Sequence, residues 1–271
     1  MDRNLALEFI RVTEAAAISS AKWYGKGDKN SADGAAVKSM RERFNHVECD
    51  GTIVIGEGEK DEAPMLFVGE KVGTGNGLKV DIAVDPLECT SNVAKGKPDS
   101  ISVLAAGPKG TLRCFPGTYV DQIVVGPKAK GAIDITLSVK ENLKNIAAAL
   151  DKEISEITVV ALDRDRHAKL IKEIRDSGAR LRLIDNGTIV GGIAAAIHDT
   201  GLDVLMGTGG APEAVITAAA LKCTGGEIQA MLKPHDEKTT KDAAKMGYDD
   251  LERVYSTDDL AKGDEIGRAH V

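Results

Sequence analysis

Aromatic residues are scarce in this sequence of 271 residues, at 3% of the chain. A core must therefore rest on Ala, Val, Ile and Leu, and a hydrophobic fraction of 42% is enough for one large domain or two closely associated ones. No two of the four cysteines have CxxC spacing, so a structural zinc site is not expected. The composition is that of an ordinary soluble protein.

Positive charge is not in excess either, because the net charge is -7 and the pI is about 5.4. Without a Lys/Arg block, a nucleic-acid partner is not expected. The N-terminal segment lacks a signal-peptide pattern, and no apolar run reaches the roughly 18 residues of a membrane span. We therefore expect no membrane partner and a cytoplasmic protein with reduced thiols.

Short β-branched runs bounded by glycines predict strands, and three-four spacing of apolar residues predicts helices. The second half alternates strands and helices, which is typical of a βαβ-like layer. The fold class is therefore mixed α/β, with two subdomains that meet near residue 130, at 1–130 and 131–271. The predicted helices are 5–24, 35–44, 138–150, 167–177 and 189–198, with another from 212; the predicted strands are 51–56, 80–84, 101–106, 119–125, 157–162, 181–184 and 204–206.

Carboxylates recur at strand ends and glycine-rich turns. They are Glu57 in IGEGE, Asp85 and Glu88 in VDPLE, and Glu213 in GTGGAPE, with Asp33 in a predicted loop before a helix. Strand ends converge at one sheet edge, where clustered carboxylates repel each other unless cations intervene. Oxygen-only ligands favour Mg²⁺ or Mn²⁺, and two such ions stabilise the attacking and leaving oxygens of a phosphoryl transfer.

The segment from Asp85 to Thr90 is the most specific of these motifs. Pro86 restricts the backbone after Asp85, so Asp85 and Glu88 address one metal from a predicted rigid turn. Thr90 follows closely enough to hydrogen-bond a water there. The alternative is a plain acidic turn.

Two further segments suit anionic groups. N–H groups at the helix start after the predicted glycine loop at 207–211 are placed to receive a phosphate or sugar oxygen. The alternative is an ordinary strand-helix turn in which Glu213 complements the helix dipole. Arg164 and Arg166 follow a strand and would clamp a second phosphate, unless they form only a solvated charged turn.

The histidine and cysteine side chains give little indication of a catalytic role. His167, His198 and His235 share no ligand spacing, so surface or capping roles are favoured over catalysis. Cys89 lies inside the proposed site, but no arginine-rich phosphate loop follows it. Nucleophilic thiol chemistry is therefore not favoured.

The segments IGEGEKDEAPML, DIAVDPLE, GPKAKG and GTGGAPEAV, together with GKGDKNSADGAAV, resemble class II fructose-1,6-bisphosphatases over about residues 1–265. The resemblance implies a layered αβαβα sugar-phosphatase fold with two intimately packed subdomains, the first binding metal and the second binding substrate. It implies dependence on Mg²⁺ or Mn²⁺ and hydrolysis of the 1-phosphate of fructose 1,6-bisphosphate in gluconeogenesis. Some relatives also accept sedoheptulose 1,7-bisphosphate. A homo-oligomer, dimer or tetramer, is expected.

By motif match, Asp33 and Glu57 would hold one metal and take part in catalysis. Asp85, Glu88 and Glu213 would hold the other metal, and Thr90 would orient and help deprotonate the attacking water. The residues that would line the substrate are Glu88, Cys89, Thr90, Tyr119, Arg164, Asp165, Arg166, Asn186, Gly187, Thr188 and Gly210.

The chain departs from the family pattern at several of these positions. Cys89 stands where glycine is usual, and its Cβ is expected to restrict φ or to crowd the phosphate. Asn186-Gly187-Thr188 replaces an Asp-Gly-Asp turn, and Asp165 replaces a proline. Relatives also continue through an apolar, strand-rich tail. These departures leave two alternatives: a phosphatase of inositol or sugar monophosphates, and a weakly active sugar-phosphate-binding paralogue.

Overall fold

The computed structural model describes residues 3–58, 64–115, 117–263 and 267–270. The chain divides into two compact units, one of Met1–Cys114 with Ala261–Val271 and the other of Phe115–Leu260. Each unit is built on its own sheet.

Helices and strands follow one another along the described residues. The helices are α1 (Arg3–Ala21), α2 (Lys29–Phe44), α3 (Thr90–Lys95), α4 (Val139–Leu150), α5 (Ala168–Asp176), α6 (Thr188–Ala196), α7 (Ala211–Thr224), α8 (Glu237–Lys245) and α9 (Thr257–Leu260). The strands are β1 (Cys49–Ile55), β2 (Lys71–Val72), β3 (Leu78–Glu88), β4 (Ile101–Pro108), β5 (Tyr119–Val125), β6 (Thr158–Leu162), β7 (Arg180–Ile184), β8 (Val204–Gly210), β9 (Glu227–Lys233), β10 (Val254–Ser256) and β11 (Gly267–His270). The mixed α/β class expected from the sequence is confirmed.

The first unit contains a sheet of strand order β11-β4-β3-β1-β2, in which β1 and β3 run parallel. Alternate residues of β1 are buried, as expected for a strand with one face on the core. Helices α1 and α2 pack together and against the sheet through the buried side chains of Phe9, Met40 and Phe44. Strand β3 ends at Glu88, and α3 begins two residues later, at Thr90.

The second unit contains a sheet of strand order β10-β9-β5-β8-β6-β7, in which β6, β7 and β8 run parallel. Val159 and Val204 belong to the apolar core that includes α4 and α5. A side chain at Gly191 of α6 would contact Val160 and Leu205, the next residues along the same strands. Because successive side chains of a strand point to opposite faces, α6 lies on the face opposite α4 and α5.

The boundary between the units lies at Cys114 and Phe115, earlier than the junction expected near residue 130. Strand β5 explains the difference, because it hydrogen-bonds to β8 and β9 over its whole length. The segment 261–271 also returns to the first unit, where β11 pairs with β4. The division into a metal-binding and a substrate-binding subdomain stays a prediction.

Three expected element bounds are wrong in ways that matter for the site. Asp33 lies inside α2, because the Asp28 side chain accepts the Ser31 N–H at 3.0 Å and starts the helix at Lys29. Strand β3 continues to Glu88, and β8 continues to Gly210. Residues expected in turns are therefore held in regular structure. No helix in the described part of the chain is long and apolar enough to cross a membrane.

Candidate active site and family

Asp33 and Glu57 form an acidic pair in the first unit. Asp33 projects from α2, and Glu57 follows β1, where its N–H donates to the Leu66 carbonyl at 3.0 Å. Burial, together with the nearby charge of Asp33, raises the pKa of Glu57 to about 7. Burial also raises the pKa of Asp33. Two carboxylates that are hard to ionise together form a favourable place for a cation.

The Asp85–Glu88 segment is the irregular end of β3 rather than a turn. Its register against β4 shifts between Asp85 and Glu88, as in a β-bulge. The Asp85 Oδ1 accepts the Leu87 N–H at 3.1 Å, and the Ser102 hydroxyl donates to the Pro86 carbonyl at 2.7 Å. The bulge replaces the expected turn as the feature that orients these acids.

Cys89 connects β3 to α3 in a left-handed conformation, with φ at 68°. A residue with a Cβ adopts this conformation only at an energetic cost, and whether the Cβ crowds a phosphate stays a prediction. Burial raises the pKa of the Cys89 thiol, and the carboxylates of Glu88, Asp85 and Asp99 raise it further. A raised pKa disfavours the thiolate, in line with the expectation that this thiol is not a nucleophile. Thr90 follows as the first residue of α3 and is half-buried.

The predicted phosphate clamp includes residues from two loops and from the start of β5 in the second unit. The Arg164 Nη2 donates to the Asn186 Oδ1 at 2.8 Å, across the ends of the paired strands β6 and β7. The Arg166 guanidinium lies 5.0 Å from the centre of the Tyr119 ring, within cation–π range. Asp165 is exposed in the short 3₁₀ turn that contains Arg166. The turn is therefore more than a solvated loop.

The start of α6 lies next to this clamp in sequence. Gly187 has φ at 81°, a conformation that suits glycine, and Thr188 opens α6 with a buried side chain. A side chain at Gly209 of β8 would meet the Thr188 Cγ2 at 2.9 Å. The Asn-Gly-Thr turn thus packs onto the end of β8.

Gly210 and Glu213 form the end of β8 and the first turn of α7. Gly210 pairs with Tyr119 in the sheet, and a side chain at Gly210 would lie 1.8 Å from the Glu213 Oε2. Glu213 is buried, which raises its pKa, and its Oε2 has no hydrogen-bond partner among the described residues. A buried carboxyl oxygen without a hydrogen-bond partner is suited to be the ligand of a hard cation.

The described residues contain no group of three or more His, Cys, Asp or Glu side chains arranged to hold a metal ion. The first unit brings Asp33 and Glu57 together, and it places Asp85, Glu88, Cys89 and Thr90 in one segment. The second unit brings together Tyr119, Arg164, Arg166, Asn186, Gly210 and Glu213. The complete set of five metal ligands therefore stays a prediction.

Three residues beside the clamp were missed by the sequence reasoning. The Lys233 Nζ lies 2.7 Å from the Asp121 Oδ2, and the Thr208 hydroxyl donates to the other oxygen of Asp121. The Arg166 Nη2 donates to the Thr208 carbonyl at 3.2 Å. The signal was weak, because Asp121 is the one acid of β5 and Lys233 is the one base of β9, and no local pattern connects them.

Known proteins resemble this chain in sequence. The model of the bacterial fructose-1,6-bisphosphatase family, glpX-encoded, matches residues 3–269. The chain belongs to this family. It is 46% identical over 278 residues to fructose-1,6-bisphosphatase 1 class 2 of Escherichia coli (strain K12), covering 98% of this chain and 83% of that protein. The class 2 fructose-1,6-bisphosphatase of Shigella flexneri gives the same identity and coverage.

The family assignment confirms the resemblance seen in the sequence motifs. Two solved structures align with part of the chain. The extragenic suppressor protein suhB from Bartonella henselae aligns with a TM-score of 0.42 and 12% identity, covering 72% of this chain and 74% of that one. An extragenic suppressor from Pyrococcus furiosus aligns with a TM-score of 0.36 and 13% identity, covering 71% and 68%. The family assignment rests on the sequence relatives alone.

Proposed function

We propose that this protein hydrolyses the 1-phosphate of fructose 1,6-bisphosphate, giving fructose 6-phosphate and inorganic phosphate, with Mg²⁺ or Mn²⁺ as cofactor. The class 2 fructose-1,6-bisphosphatases to which it is 46% identical carry this substrate in their names. The structural observation that supports the proposal best is the half-buried pair of Asp33 and Glu57. Sedoheptulose 1,7-bisphosphate is proposed as a second substrate.

Five carboxylates would hold the divalent ions. Asp33 and Glu57 would bind one ion, which would offset the burial and the repulsion by Asp33 that together raise the pKa of Glu57. Asp85, Glu88 and Glu213 would bind the other, and the buried Oε2 of Glu213 would then gain a partner. The ions supply charge neutralisation for the developing phosphoryl transition state.

The chain's own groups bind and orient the reactants. Thr90 would orient the attacking water by accepting a hydrogen bond from it, and Glu57 would act with Asp33 in receiving the proton. The water oxygen forms a bond to phosphorus as the bond between phosphorus and the C1 oxygen breaks, and that oxygen takes up a proton. Arg164 and Arg166 would hold the 6-phosphate, which fixes the sugar in register.

Several residues complete the proposed substrate site. Glu88, Cys89, Asp165, Gly187 and Thr188 line it by motif match. Tyr119, Asn186 and Gly210 lie beside the arginine turn. We further propose a cytoplasmic homo-oligomer, a dimer or a tetramer. Light scattering coupled to size-exclusion chromatography tests the oligomer, and a monomer at micromolar concentration contradicts it.

A substrate panel tests the proposed reaction. Phosphate release is measured with fructose 1,6-bisphosphate, fructose 6-phosphate, fructose 1-phosphate and inositol 1-phosphate, each with Mn²⁺ and with Mg²⁺. We expect the largest kcat/KM for the bisphosphate, because only that substrate offers the reacting phosphate and a second phosphate for the arginines. Equal or faster turnover of the monophosphates contradicts the bisphosphatase assignment.

Thr90→Ala tests the catalytic assignment within the same assay. The variant should lose about 10²–10⁴-fold in kcat, because the attacking water is no longer oriented. Mn²⁺ affinity, followed by calorimetry, should change little. Ser91→Ala removes the adjacent hydroxyl and serves as the matched control, with unchanged kcat. Unchanged turnover of Thr90→Ala removes this residue from the mechanism.

A further inference from the structure

His167 is buried, with 2% of its surface exposed, although histidines of this sequence are expected in surface or capping roles. It stands at the N-cap position of α5, but its side chain does not cap that helix. Its Nδ1 lies 2.9 Å from the Leu162 carbonyl, and its Nε2 lies 2.8 Å from the Thr208 amide nitrogen. The ring therefore bridges the end of β6 and the distal part of β8.

The two partners determine the protonation state of the ring. A carbonyl oxygen can only accept a hydrogen bond, so the proton is on Nδ1. A backbone N–H can only donate, so Nε2 carries a lone pair. The bridge exists only for neutral His167 with hydrogen on Nδ1.

Strand pairing explains why β8 needs this bridge. β6 pairs with β8 only at Val159–Val204 and Val160–Leu205, so β8 extends beyond its parallel neighbour. At Thr208, the N–H goes to the His167 ring and the carbonyl accepts from Arg166 at 3.2 Å. Two consecutive residues of the arginine turn thus take the place of the missing strand.

Gly207 allows the ring to approach the strand. Its φ is 133°, and a side chain there would lie 3.1 Å from the His167 Nε2. Beyond Thr208, β8 ends at Gly210, which lies opposite Tyr119 in the sheet. The position of the arginine turn relative to the end of β8 is therefore set through His167.

We propose that His167 is a positioning residue, which fixes the Arg164–Arg166 turn against β8 so that Arg166 is held over Tyr119 to bind the second phosphate of the substrate. This inference rests on the proposed function. His167 does not touch the reacting atoms, so its loss should weaken substrate binding more than it slows the chemical step. Its effect should also disappear with a substrate that lacks the second phosphate.

Protonation of His167 should have the same consequence. An imidazolium would direct an N–H at the Thr208 N–H and break the bridge. The charged groups that line the cavity of about 470 Å³ beside the ring come from β5, β9 and α5 as well as from the turn itself; they are Asp121, Lys233, Lys169, Glu173 and Arg166. Positively and negatively charged side chains both line this cavity. The pH dependence of KM in the wild type is therefore compared with that of a variant.

The experiment compares His167→Leu and His167→Gln with the wild type, using His198→Leu as the control at an exposed histidine. For fructose 1,6-bisphosphate, His167→Leu removes both hydrogen bonds of the ring; it should raise KM about tenfold, because the Thr208 N–H is left without its acceptor, and should keep kcat within about twofold. His167→Gln keeps an acceptor that reaches the Thr208 N–H and should recover part of the loss. With fructose 1-phosphate, all variants should match the wild type.

The pH dependence provides the second readout. The KM of the wild type should rise as the pH falls through the titration of the buried ring, and in His167→Gln this rise should be absent. Should His167→Leu fail to fold, this comparison decides the matter. Equal losses with fructose 1,6-bisphosphate and fructose 1-phosphate, or a KM rise at falling pH that persists in His167→Gln, would overturn the inference.

Failure of the proposed function is recognised separately, because it would appear in the wild type as the absence of bisphosphate turnover. In that case, calorimetric binding of fructose 1,6-bisphosphate replaces KM. The same tenfold weakening in His167→Leu is expected, and unchanged binding contradicts the positioning role.

Discussion

At the scale of single residues, Cys89 places backbone strain within the proposed catalytic site. Cys89 has φ at 68°, a region in which a side chain costs about 1–2 kcal/mol, and it lies between the acids of β3 and Thr90. The same segment is where the attacking water is proposed to bind. The conformational strain of Cys89 thus lies beside the residue proposed to orient the attacking water.

Cys89→Gly should therefore raise the free energy of unfolding by about 1 kcal/mol, because relief of strain exceeds the added entropy of the unfolded chain. Turnover should rise as well, because the Cβ no longer restricts the segment. Asp151→Gly is the matched control, since Asp151 also has positive φ, at 54°, at the exposed end of α4. Urea unfolding and phosphate release measure both effects.

The control should gain stability without gaining turnover. If Cys89→Gly lowers the free energy of unfolding, the positive φ of Cys89 does not destabilise the native protein. If turnover rises equally in both variants, the gain is a general effect of stability rather than a property of the site.

Glu57 makes stability depend on pH in the metal-free protein. Its pKa rises from 4.5 to about 7 on folding, so between these values the native state binds more protons than the unfolded state. By linkage, the free energy of unfolding falls as the pH rises from about 4.5 to about 7 and is level above that. The full change corresponds to on the order of 3 kcal/mol.

Glu57→Gln should remove this fall, because an amide does not ionise. Urea unfolding in EDTA at pH 5 and pH 8 measures it, with Glu48→Gln as a control at an exposed glutamate. Mn²⁺ should stabilise the wild type at pH 8 more than Glu57→Gln, because the variant is expected to keep only one of the two proposed ions. A fall of equal size in Glu57→Gln contradicts the role of this carboxylate.

At the scale of elements, the sequence predicts strands better than their ends. The range of β5 is correct at both ends, because β-branched and apolar residues fill it and glycine precedes and follows it. The start of α2 is missed, since the N-cap hydrogen bond from Asp28 outweighs the glycines and polar residues that suggest a loop. The glycines of β8 are missed as strand residues, because pairing with β5 overrides their low propensity.

Gly56 shows where the first sheet depends on a close approach. An added Cβ would lie 2.0 Å from the Leu66 carbonyl oxygen and 2.8 Å from the Ile53 Cγ2. Gly56→Ala should lower the free energy of unfolding by about 1–3 kcal/mol, because backbone must move. It should also displace Glu57, the next residue, and so weaken Mn²⁺ binding.

Gly34→Ala is the matched control, because nothing lies within 4 Å of a Cβ there and the residue is inside α2. That variant should gain up to about 1 kcal/mol from helix propensity. Thermal unfolding measures both. If Gly56→Ala is as stable as the wild type, the proposed importance of the close approach between residues 56 and 66 is contradicted.

At the scale of the whole molecule, the proposed ligands are divided between two compact units. Sequence motifs identify the acids, since their spacing within each segment is distinctive, but they do not identify His167 or Asp121. Those residues act through contacts 41 and 87 residues away in sequence, and such contacts are set by strand pairing rather than by local pattern.

Metal stoichiometry tests this division directly. The wild type should bind two Mn²⁺ per chain, counted from the signal of free Mn²⁺ in electron paramagnetic resonance. Glu57→Gln and Glu213→Gln should each bind one, because each removes a ligand from a different ion. Glu141→Gln, which changes an acid in the capping box of α4, should still bind two. Loss of both ions in either site variant contradicts two separable sites.

The central claim is metal-dependent hydrolysis at one position of the sugar. ³¹P NMR of fructose 1,6-bisphosphate with the purified protein and Mn²⁺ follows both phosphates at once. The 1-phosphate signal should decay as inorganic phosphate appears, the 6-phosphate signal should persist as that of fructose 6-phosphate, and EDTA should stop the reaction. Formation of fructose 1-phosphate, or hydrolysis that continues in EDTA, would contradict the account.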